Sequence, residues 1–336
     1  MVRLIIAFAL VSLMGLATSA CVSTVLDVDG RSVQPVPAAL VAEMNRKSMS
    51  RSAPILIRIF KQESELEIWK RDKSGKFALL KTYPMCRWSG KLGPKTRQGD
   101  RQAPEGFYHV SAGMLNPNSQ YYLSFNLGYP NRLESALGHT GEALMVHGAC
   151  SSSGCFAMTD EGVAEIYAVA REALKGGQTA FQVQAFPFRM TPENMAKNRN
   201  HPSFDYWMNL KRGYDIFEVT RLQPRVSYCA GRYAFNTEFE GGEPRDPLAA
   251  CPPAISMPNP VVAARSQSDL REMNRIVEEG SAVRAHAYSD GGMHPKFREL
   301  LGRLGDKALA ERVSVDAVPI SRPDAALADP HAPNEE

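Results

Sequence analysis

The sequence predicts an α+β fold, in which a β-sheet core has helices packed on one side. Short runs rich in β-branched and aromatic residues, separated by turn residues, fill the chain from residue 55 onwards. Apolar residues at helical spacing come later, in residues 160–175 and 204–214. With 336 residues the chain can bury a full core, and one or two domains are expected.

The predicted strands begin with a β-meander. Residues 55–60 form a β-rich run, residues 66–69 alternate, and the turn Lys73-Ser74-Gly75 leads into a returning strand at residues 77–83. Residues 89–104 are rich in glycine, proline and charge and are predicted to be a long loop. Further strands are predicted at residues 107–110, 121–127, 143–146 and 181–186.

The helices have clearer signals. Thr159 is a predicted N-cap for a helix over residues 160–175, and the pair at residues 176–177, both glycine, ends it. Thr191 and Pro192 open a short helix with proline at its first position. Other helices are predicted around residues 204–214, 269–279 and 294–311.

The first 20 residues have the pattern of a secretion signal. Arg3 supplies positive charge, residues 4–16 are apolar, and residues 18–20 are a small-residue cleavage site. Cys21 follows in a context close to a lipobox, except that Thr18 stands where an aliphatic residue is usual. A lipid-anchored protein, held to the membrane through Cys21, and a plain secreted protein are therefore both open. In either case we expect the mature chain in the periplasm, where disulfides are allowed.

The charge of the chain excludes one class of partner. Its formal net charge is only +3, and it has no dense run of lysine and arginine. Nucleic-acid binding is therefore not expected. No cofactor is expected either. A zinc site from the histidines and cysteines near residue 147 would match no standard ligand spacing.

The strongest motif is in residues 146–160. A short apolar run ends on His147, a loop of small residues follows at 148–154, and Cys155 stands at its far end. A histidine and a cysteine that meet across such a loop can exchange a proton, and the resulting thiolate is a nucleophile. Three alternatives remain: His147 as a buried core histidine, Cys155 as a disulfide partner of Cys150, and His139 as a rival base.

This stretch resembles the active-site segment of the murein L,D-transpeptidases, the YkuD-domain cysteine enzymes, and most of all their YafK-like branch. The shared pattern is apolar-His-Gly, here residues 146–148, then Ser-x-Gly-Cys, here residues 152–155. Residues 83–108 and 123–131 carry further similar motifs in the same order, and the resemblance covers about residues 52–219. The spacing between His147 and Cys155 is shorter than in most members, and Ser153 stands where most have a second histidine; both features fit the YafK-like branch.

The resemblance implies a mixed β-sandwich and a set of roles at the site. Cys155 would be the nucleophile, His147 the general base, and the Gly148 carbonyl would orient the imidazole. The backbone N–H groups of Ser153, Gly154 and Cys155 are candidates for the oxyanion site, because they lie at the turn that carries the nucleophile. Weaker candidates for substrate contacts are Ser152, Asn126, Tyr129 and Arg97.

The substrate implied by the resemblance is the stem peptide of peptidoglycan. The thiolate would attack the diaminopimelate carbonyl, and the acyl-enzyme would pass to an amine or to water, for example in the release of a wall-linked lipoprotein. A non-catalytic wall-binding lipoprotein that uses the same fold as a scaffold is the alternative, although a scaffold has no need of a His147/Cys155 pair.

The domain boundaries follow from these observations. We expect a signal peptide at residues 1–20, a linker at 21–52, the catalytic domain at 53–220, a C-terminal extension with short helices at 221–315 and a disordered tail at 316–336. Four further cysteines allow three disulfide pairings, of which we favour Cys86–Cys150 and Cys229–Cys251.

Overall fold

The computed structural model describes residues 30–280, 288 and 290–321. The predicted signal peptide, Cys21 and residues 322–336 of the predicted tail lie outside these residues. The described chain has the α+β fold that the sequence predicts, built around two five-stranded sheets.

The first sheet has the strand order β3-β2-β1-β10-β5. Strands β1 and β10 are parallel, and the other neighbours are antiparallel. The predicted meander is present, because β1, β2 and β3 follow one another in the chain and pair in that order. The bounds are β1 Ile55–Phe60, β2 Glu65–Arg71, β3 Phe77–Pro84, β5 Gly106–Ser111 and β10 Ala180–Phe186.

The second sheet carries the His147 segment and has the order β4-β9-β8-β7-β6. Strand β8 is parallel to β9 and antiparallel to β7. Two of its strands are shorter than predicted, because Tyr122 and Ala143 have positive φ angles of 71° and 55° and cannot continue an extended strand. The bounds are β4 Arg87–Trp88, β6 Leu115–Asn116, β7 Ser124–Asn126, β8 Met145–His147 and β9 Phe156–Ala157.

The helices connect and cover the sheets. Those of the catalytic region are α2 Arg132–Ala136, α3 Asp160–Lys175, α4 Pro192–Lys197 and α5 Phe204–Thr220. Thr159 caps α3 as predicted, since its hydroxyl accepts a hydrogen bond from the Gly162 N–H at 2.9 Å. Helix α3 packs against both sheets, whereas α5 packs on the first sheet through Phe217 and Trp69, whose rings are 5.0 Å apart. The sequence predicted helices on one side of the sheet, whereas in the structure helices cover both faces of the first sheet.

The segment expected to be a linker includes a packed helix, α1 Ala38–Arg46. Its Leu40 and Met44 are buried in the main hydrophobic core. At 25 cal/mol per Å² of buried apolar surface, two such side chains contribute about 3–6 kcal/mol to folding. Helix α1 is therefore packed on the domain and does not form a free linker.

The C-terminal extension consists of a hairpin and two helices. The hairpin is β11 Val226–Cys229 with β12 Arg232–Phe235, and the helices are α6 Pro260–Glu278 and α7 Pro295–Val313. Helix α6 begins nine residues before its predicted start because Asn259 caps it and Pro260 occupies its first position. Over residues 30–280, 288 and 290–321 we find no helix with the length and hydropathy needed to cross a bilayer.

Helix α7 and the residues before it pack on the second sheet. Trp88 and Gly292 form a β-bridge, each N–H donating to the other's carbonyl at 3.1 Å. The apolar side chains of α7 form a separate small core with Cys86 and Cys150. The extension is therefore built directly onto the sheet that carries His147.

Candidate active site

The strand register brings Cys155 and His147 to one face of the second sheet. In the parallel pair β8 and β9, His147 lies opposite Ala157 and Cys155 directly precedes β9, so it lies beside Met145. Side chains two residues apart on a strand share a face, and two residues span about 7 Å. The Cys155 Sγ atom accepts the Met145 N–H at 3.4 Å and donates to the Ala143 carbonyl at 3.7 Å.

The His147 ring has its orientation and its tautomer set by one hydrogen bond. Its Nδ1 atom lies 2.6 Å from the carbonyl oxygen of Gly148. A carbonyl only accepts, so Nδ1 carries the proton and Nε2 keeps a free lone pair for use as a base. The ring is 3% exposed and lies 4.8 Å from the ring of Tyr121, which covers it.

Gly148 is required where it stands. A Cβ atom at this position would overlap the Asp160 carboxylate and the Tyr121 carbonyl. The Asp160 carboxylate in turn accepts the Ala149 N–H at 2.9 Å. Any larger residue at 148 would therefore move the carbonyl that holds His147.

Burial keeps both members of the pair neutral. It lowers the pKa of His147 to about 4, partly opposed by the hydrogen bond to Gly148. It also raises the pKa of the Cys155 thiol, partly opposed by the Met145 N–H and the charge of Lys95. These directions favour a thiol and a neutral imidazole at rest over a preformed thiolate–imidazolium pair.

The nucleophile turn, residues 152–155, is held by serine hydroxyls. The Cys155 N–H donates to Ser152 Oγ at 3.1 Å, and the Gly154 N–H donates to Ser89 Oγ. Two of the three amides expected to form an oxyanion site are thus occupied. Within the described chain the third, the Ser153 N–H, has no hydrogen-bond partner.

A groove of about 570 Å³ opens next to Cys155. Its lining includes Ala143 and Met145, whose backbones contact the Cys155 sulfur, and also Asn126 and Tyr129. Two of the weaker candidates for substrate contacts therefore border the same groove. The other two, Ser152 and Arg97, are not part of this lining.

The disulfides are Cys86–Cys150 and Cys229–Cys251, with Cα–Cα distances of 5.0 Å in both. These are the pairings favoured from the sequence. Among the described cysteines Cys155 is the free one, so the alternative Cys150–Cys155 bridge is not formed. Because Cys150 is oxidised, it is also not available as a metal ligand.

Several residues of the site were not singled out in the sequence. Asp160 is the last residue of the motif at 146–160 and could have been found, because an acidic residue in the first turn of a predicted helix is a usual signal. Ser89 lies in the similar stretch at residues 83–108, but its contact with the nucleophile turn could not be predicted, and Ser321 gave no signal, since each reaches that turn from a distant part of the chain.

A sequence model of the L,D-transpeptidase catalytic domain, YkuD, matches residues 54–178. A protein of Escherichia coli (strain K12) with the provisional name L,D-transpeptidase YafK is 45% identical over 187 residues, which is 56% of this chain and 76% of that protein. Its counterpart in Escherichia coli O157:H7 matches to the same extent.

Solved structures are less similar. The helical cell shape determining protein Pgp2 from Campylobacter jejuni matches with a TM-score of 0.33 at 15% identity, over 70% of this chain and 77% of that one. A variant of the same protein matches with a TM-score of 0.33 at 22% identity, over 44% of this chain and about half (52%) of that one. A likeness at this level supports no conclusion about function.

Proposed function

The chain belongs to the YkuD family of L,D-transpeptidase domains, and from this we propose that it is a cysteine acyltransferase of the cell wall, with Cys155 as nucleophile. The observation that carries the proposal is the geometry of one pair. A free cysteine shares a sheet face with a histidine whose Nδ1 proton is committed to a carbonyl, so that its Nε2 is the base.

The proposed reaction begins with proton transfer from the Cys155 thiol to Nε2 of His147. The sulfur attacks the carbonyl carbon at the L-centre of diaminopimelate in a stem peptide, and the Ser153 N–H stabilises the oxyanion. Collapse of the tetrahedral intermediate breaks the C–N bond, and His147 returns its proton to the leaving amine. The product is a thioester on Cys155.

The second half of the reaction repeats these roles. An incoming amine or a water molecule loses its proton to His147 and attacks the thioester, and the Cys155 thiolate leaves and is reprotonated. An amine gives transpeptidation. Water gives hydrolysis, and release of a wall-linked lipoprotein is one form this could take.

The groove beside Cys155 supports this assignment of substrate. It is an open groove of about 570 Å³, with Asn126 and the exposed Glu142 in its lining. We propose that the diaminopimelate branch lies here, where Asn126 can donate to a peptide carbonyl.

The family acts outside the cytoplasm, and we propose the periplasm as the location of this chain. The proposed division is a signal peptide at residues 1–20, a connecting segment at 21–52 whose helix α1 packs on the domain, a catalytic domain at 53–220, an extension at 221–315 and a tail at 316–336 whose residue Ser321 contacts the catalytic domain. Cys21 would carry a lipid if the leader is a lipoprotein signal.

The deciding experiment uses intact sacculi. Protein lacking residues 1–20 is incubated with them, alongside Cys155→Ala, and the muropeptides are analysed by mass spectrometry. New diaminopimelate–diaminopimelate links or exchanged terminal residues identify a transpeptidase. Loss of such links, or release of a wall-bound protein, identifies a hydrolase. Identical digests from both proteins, on sacculi of several species, would favour the non-catalytic scaffold.

A further inference from the structure

Ser321, close to the C-terminal end of the described chain, contacts the nucleophile turn. The Ser152 N–H donates to Ser321 Oγ at 3.4 Å, and Ser321 Oγ donates back to the Ser152 carbonyl at 3.2 Å. The Arg87 Nε–H donates to the same hydroxyl at 3.0 Å and to the Ser321 carbonyl at 2.9 Å. A hydroxyl offers one donor and two acceptor positions, and this one uses all three.

Ser152 in turn forms two hydrogen bonds with the backbone of Cys155. Its hydroxyl donates to the Cys155 carbonyl at 2.7 Å and accepts the Cys155 N–H at 3.1 Å. Ser321 therefore holds the backbone of Ser152, and the side chain of Ser152 holds the backbone of Cys155. The two serines together fix the turn in which the Ser153 N–H has no partner among the residues that the structure describes.

Arg87, which donates to Ser321, is itself held in place by burial and by an ion pair. Arg87 is 1% exposed, and its Nη2 forms an ion pair with Asp290 at 3.1 Å. Burial lowers the pKa of Arg87 to about 10, so the side chain stays charged at neutral pH. Gly291 allows the backbone of residues 291–292 to lie against β4, because a Cβ atom at position 291 would overlap the Trp88 carbonyl.

A second contact joins the extension to the other end of the site loop. The Asp160 carboxylate accepts the Ala149 N–H at 2.9 Å with one oxygen and the Val315 N–H at 2.7 Å with the other. The loop between His147 and Cys155 is thus connected to the C-terminal residues twice, at Ala149 through Asp160 and at Ser152 directly through Ser321. Val315 and Ser321 both lie beyond residues 54–178, the part that the family model matches.

We propose that the C-terminal extension and the first residues of the tail complete the active site, and that Ser321, in that tail, is a positioning residue for the Ser153 N–H, the oxyanion donor of the nucleophile turn. The inference rests on the proposed role of Cys155. It assigns to Ser321 an effect on the acylation step through the backbone of residues 152–155, without contact to the substrate.

Two reactions of Cys155 separate this role from a general effect on folding. Acylation by a p-nitrophenyl ester passes through an oxyanion: the C–S bond forms, His147 takes the thiol proton, and p-nitrophenolate leaves. Alkylation by iodoacetamide displaces iodide and forms no oxyanion. Loosening the turn should therefore slow acylation and leave alkylation nearly unchanged.

The test uses the mature full-length chain and three variants. Ser321→Ala removes the hydroxyl, Ser321→Thr keeps it, and Ser256→Ala is the matched control, since that extension serine also accepts a backbone N–H, from Glu238 at 2.9 Å. We expect Ser321→Ala to lower the ratio of acylation rate to alkylation rate about tenfold, a part of the loss seen when a whole oxyanion donor is removed. Ser321→Thr and Ser256→Ala should keep the wild-type ratio.

An unchanged ratio in Ser321→Ala would overturn the inference and leave the proposed function standing. A parallel fall of both rates would also overturn it, because Ser321 would then be purely structural. If wild-type Cys155 is alkylated but never acylated by esters or by stem peptides, the proposed function fails, and the inference fails with it.

Discussion

The Nδ1 atom of His147 lies 2.6 Å from the carbonyl oxygen of its neighbour Gly148. This contact commits the ring proton to Nδ1 and leaves Nε2 with the free lone pair that the proposed base needs. Since burial lowers the pKa of His147 to about 4, the imidazole is neutral at pH 7 and can accept a proton without first losing one. The pH behaviour of the site follows from this relationship and from the burial of Cys155.

The first prediction concerns the alkylation of Cys155. Because burial raises the pKa of this thiol above its ordinary value of 9.0, its rate with iodoacetamide should climb with pH and still be rising at pH 9. The measurement is a rate profile from pH 5 to 10, with Cys155→Ala to subtract background labelling. A plateau reached below pH 7 would instead indicate a preformed thiolate–imidazolium pair.

The second prediction concerns stability. Below pH 6.5 an unfolded chain takes up a proton at His147 that the folded protein refuses until about pH 4. The stabilisation is present above pH 6.5 and is lost as the pH falls toward 4, by about 3 kcal/mol in all. Urea unfolding at pH 7.5 and 4.5 should show that the free energy of unfolding falls more between these pH values for wild type than for His147→Gln.

The variant is needed as a reference because other buried groups act in the opposite sense. Burial raises the pKa of Glu63 and Glu134 to about 7, and these carboxyls favour the folded state at lower pH. They are the same in both proteins. Equal losses of stability in wild type and His147→Gln would contradict the assignment of a buried neutral imidazole.

The third prediction separates the two disulfides. Replacing Cys86 and Cys150 with alanine opens a loop of 64 residues and should cost about 4 kcal/mol. It should also slow acylation of Cys155, because Cys150 lies in the site loop. Replacing Cys229 and Cys251, which are 22 residues apart, should cost about 3 kcal/mol with no change in the acylation rate of the folded protein. Equal effects on acylation would show that the first bridge has no special link to the site.

The fourth prediction tests a buried ion pair under the long loop of residues 89–104. Lys61 Nζ lies 2.8 Å from Glu105, both side chains are 0% exposed, and Lys61 also donates to the carbonyls of Gly93 and Ala103. Lys61→Met leaves the Glu105 charge buried without its cation and should cost about 3–5 kcal/mol.

The control for this variant is the exposed pair of Arg275 with Glu272. Arg275→Met should leave the free energy of unfolding nearly unchanged, because exposed pairs are screened by water. Chemical unfolding of both variants measures the difference. A Lys61→Met protein as stable as Arg275→Met would contradict the prediction that Lys61 compensates a buried charge.

The elements predicted well from the sequence are those with local signals. Strand β1 and helix α3 have the predicted bounds, because one is a continuous β-rich run and the other has a cap, a periodic apolar face and terminal glycines. Helix α6 was predicted too short, since its first turns carry few buried residues and their signal is the cap at Asn259. Strands β7 and β8 are shorter than predicted because Tyr122 and Ala143 have positive φ angles. No local sequence pattern predicts those angles.

The same distinction applies to the site. Cys155, His147 and Gly148 are close in the chain, so spacing and residue type were enough to nominate them. The hydroxyls of Ser89 and Ser321 reach the nucleophile turn across 65 and 169 residues. Their positions are set by the packing of β4 and α7, and a single sequence contains no direct record of such contacts. The neutral state of the Cys155 thiol likewise follows from burial, which only the folded structure reveals.

The contact between Ser321 and Ser152 also has a consequence for biosynthesis. Polypeptides are made and exported from the N-terminus, and this contact spans 169 residues. Cys155 must therefore leave the ribosome well before the serine that braces its turn. A nascent chain would carry Cys155 in an incompletely folded turn, and the proposed acyl-transfer activity would begin only after the residues around Ser321 have been exported and have docked.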